Sequence, residues 1–330
     1  MKAIAHERYG TPEVLHLKEV SKPTPADDEI LVKVYATSVN RSDWEALTGK
    51  PLYARMNGLW KPRLQILGSD VAGRVEAVGK DHSDFKPGDD VFGEMESYSG
   101  GFAEYVCTRG KEWALKPPSM SFEAAAAIPQ AGVIALQGLR DRVQPGQAVL
   151  INGAGGGAGT FAIQLAKSFG AEVTGVDNGG KLDFMRSLGA DHVIDYERED
   201  FTRNGRQYDL ILDLVAFRSA FAYAGALRPG GTYYGVGGSV ATLLQILLIG
   251  PWLRRTRNSP DQRFALSGHR PVVHLPWIHI TRNRSKTSRH GRNKPGTGTG
   301  RITPVTPRPR QVHPPPLPRP CPGPFSACRY

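Results

Sequence analysis

The chain has 330 residues, 42 Lys and Arg against 31 Asp and Glu, and a formal net charge of +11. That length allows two ordinary domains and a sizeable core. Three cysteines, Cys107, Cys321 and Cys328, exclude a disulfide framework and a cysteine metal cluster. The longest apolar stretch, residues 240–253, is broken by Thr242, Gln245, Gly250 and Pro251 and is too short to span a bilayer. The first ten residues are polar and carry no apolar signal core, so a cytoplasmic protein is expected.

Residues 1–120 read as short strands separated by turns. Residues 29–36 alternate at Ile30, Val32 and Val34, as a half-buried strand does. Residues 70–79 and 102–108 read the same way, and a Pro87-Gly88-Asp89 turn feeds a strand ending at Phe92. Many short strands punctuated by Gly and Pro indicate a compact, barrel-like β domain.

The rhythm changes near Ser121. Residues 122–139 are alanine-rich and helical, with a break at Pro129. Strands and helices then alternate: strands at 148–151, 172–176, 192–195, 208–214 and 232–236, and helices opening at Thr160, Lys181 and Arg218. That alternation predicts a doubly wound parallel α/β sheet over 121–255.

The most informative stretch is 147–167, QAVLINGAGGGAGTFAIQLAK. A strand runs into Gly153, Gly155, Gly156, Gly157 and Gly159, and then into a helix on which Phe161, Leu165 and Phe169 share a face. Glycines let a diphosphate approach unpaired amides at the helix start, where the helix dipole favours negative charge. Asp177 ends the next strand, 18 residues beyond Gly159, close to the spacing of an acid that binds a ribose hydroxyl. Together these elements predict dinucleotide binding.

After residue 255 this grammar stops. Residues 254–330 hold sixteen Lys and Arg, one acid (Asp261) and fourteen prolines, so the excess positive charge lies here and the preceding body is mildly acidic. Only residues 272–280 suggest a strand, and Pro276 interrupts it. Residues 256–330 are therefore expected to be a disordered basic tail.

Several motifs in fixed order resemble one family. They are Ser38-Val39-Asn40-Arg41-Ser42-Asp43, Leu67-Gly68-Ser69-Asp70-Val71-Ala72-Gly73, Phe85-Lys86-Pro87-Gly88-Asp89-Asp90-Val91, the glycine stretch, and residues 188–196, LGADHVIDY. They are similar to the zinc-independent quinone oxidoreductase (zeta-crystallin-like) branch of the medium-chain dehydrogenase/reductase superfamily, over residues 1–255. The resemblance implies a GroES-like β domain at 1–120 and a Rossmann domain at 121–255, with the cofactor between them. It also implies hydride transfer from NADPH to a quinone or an α,β-unsaturated carbonyl.

Zinc-dependent relatives carry Cys at the place of Asn40, and Gly-His-Glu where this chain has Gly68-Ser69-Asp70. Asn and Ser are poor zinc ligands, so no metal is expected. Without a Lewis acid, reducing an electron-poor acceptor is easier than oxidising an alcohol.

By resemblance Asn40 lies near the nicotinamide and substrate, and Tyr53 stands where a tyrosine could give a proton or hydrogen bond to a quinone oxygen. Gly153, Gly156, Gly157, Ala158 and Gly159 are expected at the diphosphate. Val236 and Gly237 match the nicotinamide edge, and Tyr196 a residue near the adenine. Asp177 favours NADH, whereas Lys181 and Asn178 could hold a 2′-phosphate; NADPH is preferred by analogy.

Relatives continue with a further strand and a helix that are not legible here. The tail is read as an out-of-frame or alternative end, which would leave a sheet edge unpaired and the homodimer in doubt. The alternative reading is a catalytically impaired reductase-like protein whose basic tail binds a polyanion or protein partner. Nucleic acid is not the expected partner, because Phe264, Trp277, Phe325 and Tyr330 are few for base stacking.

Overall fold

The computed structural model of the protein describes residues 1–97, 99–239, 241–242, 244–246, 248 and 263–266. Residues 272–280, the remaining tail, and with them the expectations of disorder and polyanion binding, lie outside the described residues.

The first lobe begins with a hairpin of β1 (Lys2–Ala5) and β2 (His16–Glu19). An antiparallel five-stranded sheet follows, built from β3 (Ile30–Thr37), β4 (Asp70–Val78), β5 (Asp90–Glu94), β6 (Tyr105–Thr108) and β7 (Trp113–Leu115), in the order β6-β3-β4-β5-β7. Alternation along β3 and β4 places Ile30, Val32, Val71 and Val75 in one core with Val91, Val106 and Trp113. Helix α1 (Arg41–Thr48) leaves the end of β3, and a 3₁₀ segment, Leu52–Asn57, follows it.

Two helices lead into the second lobe. They are α2 (Phe122–Ala126), capped by the Ser121 hydroxyl, and α3 (Pro129–Leu139), which starts at the proline that breaks the alanine-rich run. Ala125 and Ala126 of α2 are buried against Ala72 of β4.

The second lobe is a parallel sheet of β8 (Ala148–Asn152), β9 (Glu172–Asp177), β10 (His192–Asp195), β11 (Tyr208–Asp213), β12 (Leu227–Gly235) and β13 (Arg263–Leu266). Helices α4 (Gly157–Ser168), α5 (Leu182–Ser187) and α6 (Ala220–Ala226) connect its strands. The order β10-β9-β8-β11-β12-β13 is the 3-2-1-4-5-6 order of a dinucleotide-binding fold. Every residue of β8 is buried, as expected of a central parallel strand covered on both faces.

Two expectations need correction. The sheet has a sixth strand: Arg263–Leu266 pairs parallel with β12, Thr232 to Arg263 through Gly235 to Leu266, inside the stretch read as unfolded tail. Four residues carry no readable period, but backbone pairing along an open sheet edge does not require one. The edge of β12 is therefore paired rather than bare.

The second correction concerns the helix expected to open at Arg218, which instead spans Ala220–Ala226; the chain enters β12 at Leu227 and bulges across Pro229 to Gly231 before Thr232 regains register. Helix α4 buries Gly159, Ala162, Ile163 and Ala166, and Phe161, Leu165 and Phe169 pack against that core, in keeping with their shared spacing.

Candidate active site

The glycine turn after β8 is held from beneath. Gly153 adopts a positive φ of 84°, and the Gly153 and Ala154 amides donate to Val176 O at 2.9 and 3.0 Å. Gly156 N donates to Gly153 O, and the first helical bond runs from Thr160 N to Gly156 O at 2.9 Å. The amides of Gly157, Ala158 and Gly159 therefore have no acceptor within the helix. A Cβ at Gly159 would lie 2.3 Å from Gly153 O and 2.5 Å from Ala154 O, so glycine there lets α4 sit on the turn. Gly157 is exposed. A diphosphate fits this arrangement, because three amides without a helical acceptor and the positive end of a twelve-residue helix converge beside a glycine with no side chain.

Asp177, at the end of β9, is turned toward that loop. Its Oδ2 accepts from Gly155 N at 2.9 Å, and its Oδ1 accepts from Asn178 N at 2.9 Å and lies 3.3 Å from Lys181 Nζ. The carboxylate thus braces the glycine turn and already has a cation beside it, an engagement its spacing alone did not reveal. Tyr196 is 43% exposed just beyond β10, with its amide on Asp177 O. Val236 and Gly237 follow β12; Val236 N donates to Asp213 O, and Gly237 O accepts from Ala216 N at 2.8 Å.

Asn40 lies at the N-terminus of α1 in a reciprocal capping box with Asp43, whose Oδ2 accepts from Asn40 N at 2.7 Å. Asn40 Nδ2 points to Ser69 Oγ (3.0 Å), Asp70 Oδ2 (3.1 Å) and Ser38 Oγ (3.3 Å). Asp70 is fully buried and also accepts from Gln130 N, with both oxygens within 3.2 Å, at the first turn of α3. Gln130 reaches two further elements. Its Oε1 accepts from Ser42 Oγ at 2.9 Å, and its Nε2 donates to Glu94 Oε1 at 2.9 Å.

Asp43, Asp70 and Glu94 are thus three buried carboxyls around one polar knot. Among the described residues no Lys or Arg pairs with any of them. Burial raises all three above the usual carboxylate range, Asp70 to about 6 and Glu94 to about 7. Amide donors to Asp70 and Glu94 oppose that rise in part, while the neighbouring carboxyls add to it.

Tyr53 stands apart from this knot. It lies in the 3₁₀ segment, 41% exposed, and its hydroxyl donates to Glu45 Oε2 at 3.1 Å. Burial and the Glu45 charge push its pKa up to about 12, which makes it a weak proton donor.

The two halves of the site meet through neighbouring residues of α3. A Cβ built at Gly157 would lie 3.9 Å from that of Ala131, and Ala131 follows Gln130, which bonds Asp70. Sequence reasoning did not single out Gln130, Glu94 or Asp213. Asp213 is buried at the end of β11, accepting from Asn152 Nδ2 at 2.8 Å and Tyr233 OH at 2.9 Å, and burial raises its pKa. Its only sequence signal was an acid ending an apolar strand.

The donors about Asn40 are a carboxamide, hydroxyls and a carboxyl. Among the described residues no group of three or more His, Cys, Asp or Glu side chains is placed to hold a metal.

Residues 26–119 match the family model of the alcohol dehydrogenase GroES-like domain, and residues 157–257 that of the zinc-binding dehydrogenase. The chain is 36% identical over 226 residues to the 2-methylene-furan-3-one reductase of Solanum lycopersicum, a match covering 65% of this chain and 57% of that protein. It therefore spans less than two thirds of the length of that curated relative. The quinone oxidoreductase of Coxiella burnetii superposes with a TM-score of 0.73 at 30% identity, over 84% of this chain and 85% of the other. Escherichia coli quinone oxidoreductase complexed with NADPH superposes with a TM-score of 0.65 at 28% identity, over 73% of this chain and 74% of the other. The chain belongs to the quinone oxidoreductase branch of the medium-chain dehydrogenase/reductase superfamily.

Proposed function

We propose that this protein is a zinc-independent reductase that uses NADPH to reduce a quinone or an α,β-unsaturated carbonyl compound. The observation that carries the reading is the junction on α3, where an open diphosphate cradle at Gly157 adjoins, through Ala131 and Gln130, the polar knot holding Asn40. Bound NADPH would supply the hydride.

The chain's own residues bind and orient. Gly153, Gly156, Gly157, Ala158 and Gly159 form the diphosphate cradle, Tyr196 lies toward the adenine, and Val236 and Gly237 border the nicotinamide. Lys181 supports NADPH over NADH. Asp177 spends both oxygens on loop amides, and the Lys181 ammonium beside it offsets its charge, so a 2′-phosphate would meet a cation rather than a bare carboxylate.

A carboxamide and hydroxyls are poor zinc ligands, so the donor set about Asn40 supports acceptors that take a hydride without a Lewis acid. The Solanum relative is named for reducing a methylene-furanone, and the Coxiella and Escherichia neighbours for quinones. Asn40 is the proposed residue at the nicotinamide. Tyr53, bonded to Glu45, is the weaker of the two predicted catalytic residues.

The test is titration of the purified chain with NADPH and with NADH, followed by a quinone and an enone as acceptors. Tighter binding of NADPH and its oxidation by either acceptor is expected. Binding of neither nucleotide would overturn the proposal.

A further inference from the structure

Asn40 has two amide hydrogens, and three protein acceptors lie within reach of its nitrogen, at Ser69, Asp70 and Ser38. Ser38 Oγ itself donates to Asp70 Oδ2 at 3.3 Å, so it is free to accept from Asn40. A carboxylate only accepts, so Asp70 requires the amide nitrogen, not the oxygen, to face it. Turning the carboxamide over would set its oxygen against the Asp70 carboxylate and lose that bond. Asp70 therefore fixes the orientation, and the group's unspent capacity lies on Oδ1.

We propose that Asp70 is a positioning residue that sets the hydrogen-bond polarity of Asn40, so that Asn40 meets its ligand as an acceptor and holds a hydroxyl donor. This rests on the reductase reading above. It assigns Asn40 to a ribose hydroxyl of the nucleotide, or to the hydroxyl of a reduced quinone, and removes it from any role as a donor to a developing oxyanion. Gln130 completes the arrangement by holding Asp70 through its backbone amide, in the first turn of α3.

Asp70→Asn tests this directly. The introduced carboxamide would keep an oxygen for the Gln130 amide and turn its own nitrogen toward Asn40, so that donor faces donor. NADPH affinity, read from nucleotide fluorescence without acceptor, should weaken about tenfold, the worth of one good hydrogen bond. If the hydroxyl belongs instead to the reduced quinone, nucleotide affinity should hold and hydroquinone inhibition should weaken by a similar factor.

The exchange Asn40→Asp with Asp70→Asn restores a carboxylate–carboxamide pair and an outward oxygen, and should recover the affected constant to within about threefold. Melting curves establish that both variants fold. Unchanged affinity and inhibition in Asp70→Asn, with the wild type binding NADPH normally, would overturn the inference. So would a folded double variant no better than the single one. If neither variant folds, a crystal of the wild type with NADPH decides. With a hydroquinone soaked into that crystal as well, a hydroxyl of either ligand within about 3.2 Å of Asn40 supports the assignment, while a phosphate or carbonyl oxygen there, or no atom of either ligand, overturns it. Failure of the wild type to bind either nucleotide would instead count against the reductase reading itself.

Discussion

Gln130 Nε2 donates to Glu94 Oε1 at 2.9 Å, and this bond joins the first turn of α3 to the end of β5 in the β lobe. Glu94 is 6% exposed, and among the described residues it has no basic partner. Three buried carboxyls in one neighbourhood repel one another, and a neutral amide can hold such a group but cannot cancel its charge.

Glu94→Gln should therefore stabilise the protein at neutral and alkaline pH. Burial lifts the folded-state pKa from 4.5 to about 7, so the folded chain binds the extra proton more tightly than the unfolded chain does. The carboxyl's contribution is then most favourable below the unfolded value and is lost as pH rises from about 4.5 to about 7. Substitution by glutamine keeps an oxygen for Gln130 and removes that dependence. The expected gain above about pH 7 is of order 3 kcal/mol at most, fading toward about pH 4. Denaturant unfolding of both proteins at a series of pH values from about 5 to about 8 measures it, and parallel curves would refute the assignment.

Much of the fold was legible because its elements have strong periods. The buried run of β8, the glycine turn and the break at Pro129 each follow from local chemistry. β13 was not legible, since a four-residue strand on a sheet edge gains from backbone pairing that leaves no side-chain pattern. The acid knot was invisible for a different reason. Ser42, Asp70, Glu94 and Gln130 lie on four separate elements, and only the packing of α3 against the β lobe brings their polar atoms into hydrogen-bond range. The role of Asp177 was half legible: its distance from the glycines was informative, but its bond to Gly155 N depends on how tightly the turn closes.

Gly159→Ala should dislodge α4 from the turn. The added methyl would meet Gly153 O at 2.3 Å and Ala154 O at 2.5 Å, and both are backbone atoms that cannot swing aside. A cost of about 1–3 kcal/mol is expected from overpacking. NADPH affinity should fall further than stability alone requires, because the three open amides move with the helix. Melting curves with and without nucleotide separate the two effects: the wild type should gain stability from NADPH, and the variant little or none.

Lys181→Met keeps an aliphatic stem over Gly155 and removes the charge; Lys181 Cδ lies only 2.6 Å from where a Gly155 Cβ would stand. NADPH binding should weaken about tenfold, and NADH binding by no more than about twofold, because only the former carries a phosphate for the ammonium to meet. With the cation gone, Asp177 also stands unscreened beside the phosphate. Parallel fluorescence titrations with the two nucleotides measure the ratio, and equal losses for both would show that Lys181 supports the loop rather than reading the phosphate.

Tyr53→Phe is expected to leave turnover within about twofold of the wild type. The Tyr53 hydroxyl is committed to Glu45, which also accepts from Arg41 Nε at 3.1 Å, and a phenol with a pKa of about 12 gives up its proton poorly near neutrality. A catalytic tyrosine would instead lose far more on removal of its hydroxyl, in the range of general acid catalysis at about 10²-fold or above. Steady-state rates with a quinone acceptor between about pH 6 and about pH 9 distinguish the two. A large fall in kcat with an altered alkaline limb would place Tyr53 at the reacting oxygen, with its bond to Glu45 broken when substrate binds.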